Sequence, residues 1–124
     1  MITLVAGSSR YYKGSVVSYA NEVKEKVLGV RAGDLQQYGA VSEEVVKQMA
    51  EGVKRLLKTD YAIATSGIAG PSGGSDEKPV GTVWIAVAGE RGCVAEKFLF
   101  NTTRDNFIER TSNQAILMLL HQMR

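Results

Sequence analysis

Residues 42–58 carry the strongest periodic pattern in the chain. Val45, Val46, Met49, Ala50, Val53, Leu56 and Leu57 recur at helical spacing, with charged residues between them. Ser42 is placed to cap the first turn, and Glu43 and Glu44 stand where a helix dipole favours anions. Lys54, Arg55 and Lys58 occupy the last turn, which favours cations. A second helical stripe over residues 105–122 includes Ile108, Ala115, Ile116, Leu119 and Leu120. A shorter one from about Ala20 uses Val23, Val27 and Leu28 and stops at Gly29, and residues 34–38 add a short turn of helix. Between these lie strand-like runs. Residues 61–65 (YAIAT) and 80–88 (VGTVWIAVA) are apolar on both faces, as buried strands are. Residues 93–100 alternate Val94, Glu96, Phe98 and Phe100 with Ala95, Lys97 and Leu99. Residues 15–19 (SVVSY) read as another short strand.

Helices interleaved with apolar strands predict an α/β fold, a three-layer α/β/α domain. The tight turn at Glu90–Arg91 predicts an antiparallel pair, so the sheet is expected to be mixed rather than purely parallel. No internal repeat, low-complexity tract or linker divides the 124 residues, which read as a single domain over residues 1–124.

Composition narrows the function classes. A net charge of +2 without clustering does not predict nucleic acid or an acidic membrane surface as partner. One cysteine forbids an intrachain disulfide, and with one histidine it cannot build a Cys/His zinc site. No apolar run reaches membrane-spanning length, and residues 1–9 lack the pattern of a signal peptide. A reducing, cytoplasmic setting is the expectation. Glycine is the one excess, at 13 residues, and four of these fall between Gly67 and Gly74.

That cluster lies in the expected loop from Ser66 to Pro79 (SGIAGPSGGSDEKP), between two strands. Glycines let backbone N–H groups close around an anion, and long unstructured loops are uncommon in small domains. The loop fits neither the Walker nor the dinucleotide pattern, because a strand follows it. It is a binding nest or an inert connection. Tyr19, Asn21 and Lys24 form a second candidate, near the end of the 15–19 run. A lysine acts as a base only when burial or positive neighbours depress its pKa; otherwise Lys24 is a solvated side chain beside Glu22, Glu25 and Lys26. His121 reads as a helix-end residue and Cys93 as a small packing residue.

Four ordered segments resemble a known family. Residues 14–24 (GSVVSYANEVK), 38–45 (YGAVSEEV), 65–71 (TSGIAGP) and 77–84 (EKPVGTVW) are similar to the CinA C-terminal domain, the PncC-type nicotinamide-nucleotide amidases. The resemblance runs from Gly7 to the end of the chain. Ser72 stands where the family usually has glycine, and Ser75-Asp76 where it often has Thr-Pro. The resemblance implies hydrolysis of the carboxamide of nicotinamide mononucleotide to nicotinate mononucleotide and ammonia. It implies a serine nucleophile activated by a lysine, with a tyrosine assisting, and no metal or other cofactor. Lys24 matches that lysine and Tyr19 that tyrosine. Ser66, Gly67, Ile68, Ala69, Gly70, Gly73 and Gly74 match the region shaping the substrate pocket, and Arg104 matches an arginine placed to pair with the phosphate.

One departure matters. The family's nucleophile belongs to a Glu-Ser-Cys-Thr-Gly-Gly motif upstream of the Gly7-Ser8-Ser9 match, and the 124 residues contain no such motif. Ser8 and Ser9 match a different family element. The chain is therefore expected to be an N-terminally truncated form of the domain, without amidase activity alone, or a non-catalytic nucleotide-binding or regulatory module. Loss of the helix that would cover one sheet face predicts self-association, as a dimer.

Overall fold

The capped stripe forms as the pattern predicts. In the computed structural model, which describes residues 2–124, helix α3 runs over Glu43–Leu57. Ser42 accepts a hydrogen bond from the Val45 amide and donates one to the Gly39 carbonyl at 2.8 Å. A cap of this kind contributes about 1 kcal/mol. The other elements are α1 (Asn21–Lys26), α2 (Ala32–Tyr38), β1 (Ala62–Gly67), β2 (Thr82–Gly89), β3 (Gly92–Leu99) and α4 (Arg104–Gln122), preceded by two short 3₁₀ turns.

The strands form one sheet in the order β1-β2-β3, and both neighbouring pairs are antiparallel. Strand β2 is central and its side chains alternate between two cores. Ala86 and Ala88 face Val45, Val46, Met49 and Ala50 of α3, together with Leu28, Val30 and Leu35 from the α1–α2 segment. Val83, Ile85 and Val87 face Phe107, Ala115 and Met118 of α4. The α/β/α layering follows from this split: a strand apolar on both faces requires a helix on each.

Two sequence expectations change. The sheet is antiparallel rather than mixed, because residues 15–19 add no strand to it. The backbone of residues 12–19 finds no ladder partner among the described residues, although its exposure still alternates residue by residue. Inward-facing Val16 packs on the α3 core while Val17 is 84% exposed. The second change is at β1, which extends through Ser66 and Gly67, paired with Trp84 and Val83. The loop therefore begins two residues later than the composition suggested.

The α1–α2 segment is fastened to α3 by polar contacts as well as by its apolar residues. The Arg31 amide donates to Gln48 Oε1 at 2.8 Å, and Asp34 accepts from Gln48 Nε2 at 2.7 Å and Arg31 Nε at 2.8 Å. The Gln48 bond, followed by that from Arg31, holds the Asp34 carboxyl below the usual carboxylate range. No helix among the described residues is long and apolar enough to cross a membrane.

Candidate functional site

Helix α1 is one and a half turns long and half of its residues are exposed, yet Lys24 within it is only 6% exposed. Its Nζ donates to the Ser18 carbonyl at 2.7 Å. No ion pair among the described residues includes it. Burial without a carboxylate partner disfavours the ammonium and pushes its pKa below the ordinary 10.5. This is the environment that makes a lysine amine available as a base.

Tyr19 lies on the opposite side of the alternating segment and is 89% exposed. Its hydroxyl makes no hydrogen bond among the described residues. The two residues matched to the catalytic pair are thus five positions apart in sequence but differ completely in environment.

The glycine loop is pinched at its base and open at its tip. The Ile68 amide donates to the Thr82 carbonyl at 2.9 Å, and the Gly81 amide to the Ile68 carbonyl at 2.7 Å. Ala69 packs on the α4 core. Gly70 is buried with φ of 78°, and a Cβ there would lie 2.3 Å from Val80 Cγ1, so both conformation and space require glycine. Gly73 and Gly74 are exposed at the tip. Ser66 is half-buried in β1, and Gly67 ends that strand.

Arg104 is the first residue of α4, and its Nη1 donates to the Gly70 carbonyl at 2.8 Å. The structure therefore brings the predicted arginine and the predicted loop together. On the other limb of the loop, Lys78 Nζ donates to the Tyr38 carbonyl, the last of α2. Sequence reasoning assigned Lys78 nothing; its signal was a lone lysine inside an otherwise glycine- and serine-rich connection.

Lys24 and the loop share no hydrogen bond among the described residues. Two open cavities lie elsewhere. One of about 360 Å³ is bounded by Val94 and Glu96 of β3 and by Gln114, Leu117, Met118 and His121 of α4. The other, about 210 Å³, is bounded by Glu51, Lys54 and Arg55 of α3 and by Ala88, Gly89 and Gly92 around the hairpin. Cys93 is half-buried against α3, and burial pushes its thiol up to about 11, so it packs rather than reacts.

Comparison with known proteins gives a consistent result. The family described as the CinA C-terminal domain matches residues 1–123. A "CinA-like protein" of Endomicrobium trichonymphae is 48% identical over 98% of this chain, and one of Desulforapulum autotrophicum is 50% identical over 94%. The chain spans only 28% and 26% of those two proteins. Among solved structures, the competence/damage inducible protein CihA of Agrobacterium tumefaciens superposes with a TM-score of 0.95 at 35% identity. That match covers 98% of this chain and 75% of the other. The competence damage-inducible protein A of Klebsiella pneumoniae gives 0.94 at 34% identity, covering 98% and 76%.

Proposed function

Because the chain belongs to the CinA C-terminal domain family, we propose that it supplies the lysine and the glycine-loop wall of a pyridine-nucleotide site. The ligand in this reading is nicotinamide mononucleotide, and the reaction of the complete site is hydrolysis of its carboxamide, in the cytoplasm. The observation that carries the reading is the buried Lys24 amine, without a carboxylate partner and with a depressed pKa. In the proposed sequence, that amine in its neutral form takes the proton of a serine hydroxyl. The hydroxyl oxygen then bonds to the carboxamide carbon. The carbon–nitrogen bond breaks, ammonia departs with the proton, and water cleaves the resulting ester to release nicotinate mononucleotide. Arg104 spends one donor on Gly70 and keeps others for a phosphate, which its fork of N–H groups suits.

The 124 residues hold no Glu-Ser-Cys-Thr-Gly-Gly motif. For this chain alone that favours a second reading, a module that binds the nucleotide without turning it over. Titration calorimetry with nicotinamide mononucleotide is expected to show binding, while an ammonia assay stays at background. Absence of heat on titration removes the nucleotide site. Ammonia release abolished by Lys24→Ala would instead place a nucleophile within these residues.

A second copy of the chain is the proposed protein partner. Leu4, Val5, Tyr11, Val17 and Tyr19 leave five large apolar side chains exposed in the first twenty residues, more than scattered surface residues account for. Sedimentation equilibrium is expected to show a concentration-dependent dimer, weakened by Val17→Ser. A monomer at every concentration removes this partner.

A further inference from the structure

The two limbs of the glycine loop are held differently. The near limb is tied to α4 through Arg104 and the Gly70 carbonyl. The far limb turns back on itself at residues 75–78: the Ser75 amide donates to the Lys78 carbonyl at 2.9 Å, and the Lys78 amide donates to Ser75 Oγ at 3.1 Å. Immediately afterwards the Pro79 carbonyl accepts from the Thr82 amide and from its hydroxyl, at 3.0 and 2.6 Å. The Lys78 side chain is thus carried on a backbone that is already braced against β2.

From that brace the ammonium reaches the C-terminal end of α2 and donates to the Tyr38 carbonyl. The final carbonyls of a helix lack intrahelical partners and carry partial negative charge, so an ammonium there is doubly favoured. The fit is close: a Cβ on Gly39, the residue that follows α2, would stand 3.1 Å from Lys78 Nζ. Helix α2 is itself fixed, through Leu35 in the α3 core and through Asp34 on Gln48. Among the described residues, the Lys78 bond is the only hydrogen bond joining the loop to the layer that contains α1, α2 and hence Lys24.

We propose that Lys78 is a positioning residue: its ammonium clamps the glycine loop to the C-terminus of α2 and sets the loop against the layer carrying Lys24. The identity of the ligand rests on the nucleotide reading above; the clamp does not. A loop held in place in advance pays less ordering entropy when it closes on a ligand. Without the clamp, the exposed stretch from Ser72 to Glu77 is anchored to the fold at the Arg104 end and through Pro79, and is no longer fixed relative to α2.

The test compares wild type, Lys78→Met, which keeps the stem and loses the donors, and Lys78→Arg, which keeps a cation. The readouts are amide hydrogen exchange at residues 75 and 78 and calorimetric titration with nicotinamide mononucleotide. Lys78→Met is expected to exchange about tenfold faster at those amides, because a charged hydrogen bond has been lost. Its affinity for the nucleotide is expected to fall about tenfold, with the melting temperature within a few degrees of wild type. Lys78→Arg is expected to restore both slow exchange and affinity. Equal exchange in wild type and Lys78→Met overturns the clamp. Faster exchange with unchanged affinity overturns the positioning role. Flat titrations of the wild type defeat the nucleotide reading alone, and exchange then decides the clamp by itself.

Discussion

Replacing Gly52 by alanine is expected to lower the melting temperature by more than about 10 °C, a loss on the order of 3 kcal/mol. Helix propensity alone predicts the opposite. Gly52 sits inside α3, where glycine costs about 1 kcal/mol relative to alanine. Packing decides the sign. A Cβ on Gly52 would lie 1.9 Å from the Leu28 carbonyl oxygen, 2.8 Å from its carbonyl carbon and 3.1 Å from its Cα. All three atoms are backbone, so no side-chain rotation relieves the overlap. Leu28 is itself buried, and the residues that follow it are tied down: the Val30 amide donates to the Lys24 carbonyl at 3.0 Å and the Arg31 amide to Gln48. The segment must lift off α3, exposing Leu28 and Val30. A domain of this size holds roughly 5–15 kcal/mol in total, so such a loss is a large share of it. Thermal unfolding followed by circular dichroism checks the sign directly. A melting temperature equal to or above wild type would mean that the α1–α2 segment does not cross α3 at this glycine.

Gly52 also marks where reading the sequence stops. The stripe from Val45 to Leu57, the Ser42 cap, the three strands and the closing helix were legible, because each is a local pattern of spacing and turn chemistry. Even there Leu56, half exposed, lies off the buried face that the stripe assigned to it. The reason for Gly52 is a contact with a residue far earlier in the chain, and no local pattern carries that. The 15–19 run failed for a related reason. Two valines and a tyrosine give strand propensity, but a strand needs a partner edge, and propensity does not supply one. The candidate site divides the same way. The glycine loop was legible as residues and Arg104 only through the family resemblance, and the structure adds the Arg104–Gly70 bond that joins them. The burial of Lys24 was not legible, since Glu22, Glu25 and Lys26 around it read as a solvated face. The family resemblance singled it out; the 6% exposure supplies the physical reason its pKa is lowered. The partner of Lys78 is a backbone carbonyl, which leaves no trace in residue identity, so its isolation in the loop was the one sign of it.

Lys24→Met separates stability from function, and the two effects have opposite signs. The folded-state pKa of Lys24 lies below the 10.5 of an unfolded lysine. Between the two values the unfolded chain binds more protons than the folded one, so stability rises with pH through that window. Below that window the buried ammonium is a standing cost. Methionine has a similar stem and no charge, and removes that cost at the price of an unpaired Ser18 carbonyl, which is on a partly exposed segment open to water. The variant is therefore expected to be at least as stable as wild type at neutral pH, with the difference shrinking as pH approaches 10.5. Denaturant titrations across a pH series measure this. In a protein of the family that joins this domain to the Glu-Ser-Cys-Thr-Gly-Gly segment, the same substitution is expected to slow ammonia release by about 10²–10⁴-fold, the usual contribution of a general base. A purely structural lysine gives another pattern: stability falls at neutral pH, and turnover falls only as far as the folded fraction does. A variant both less stable and fully active per folded molecule would remove Lys24 from the proposed chemistry.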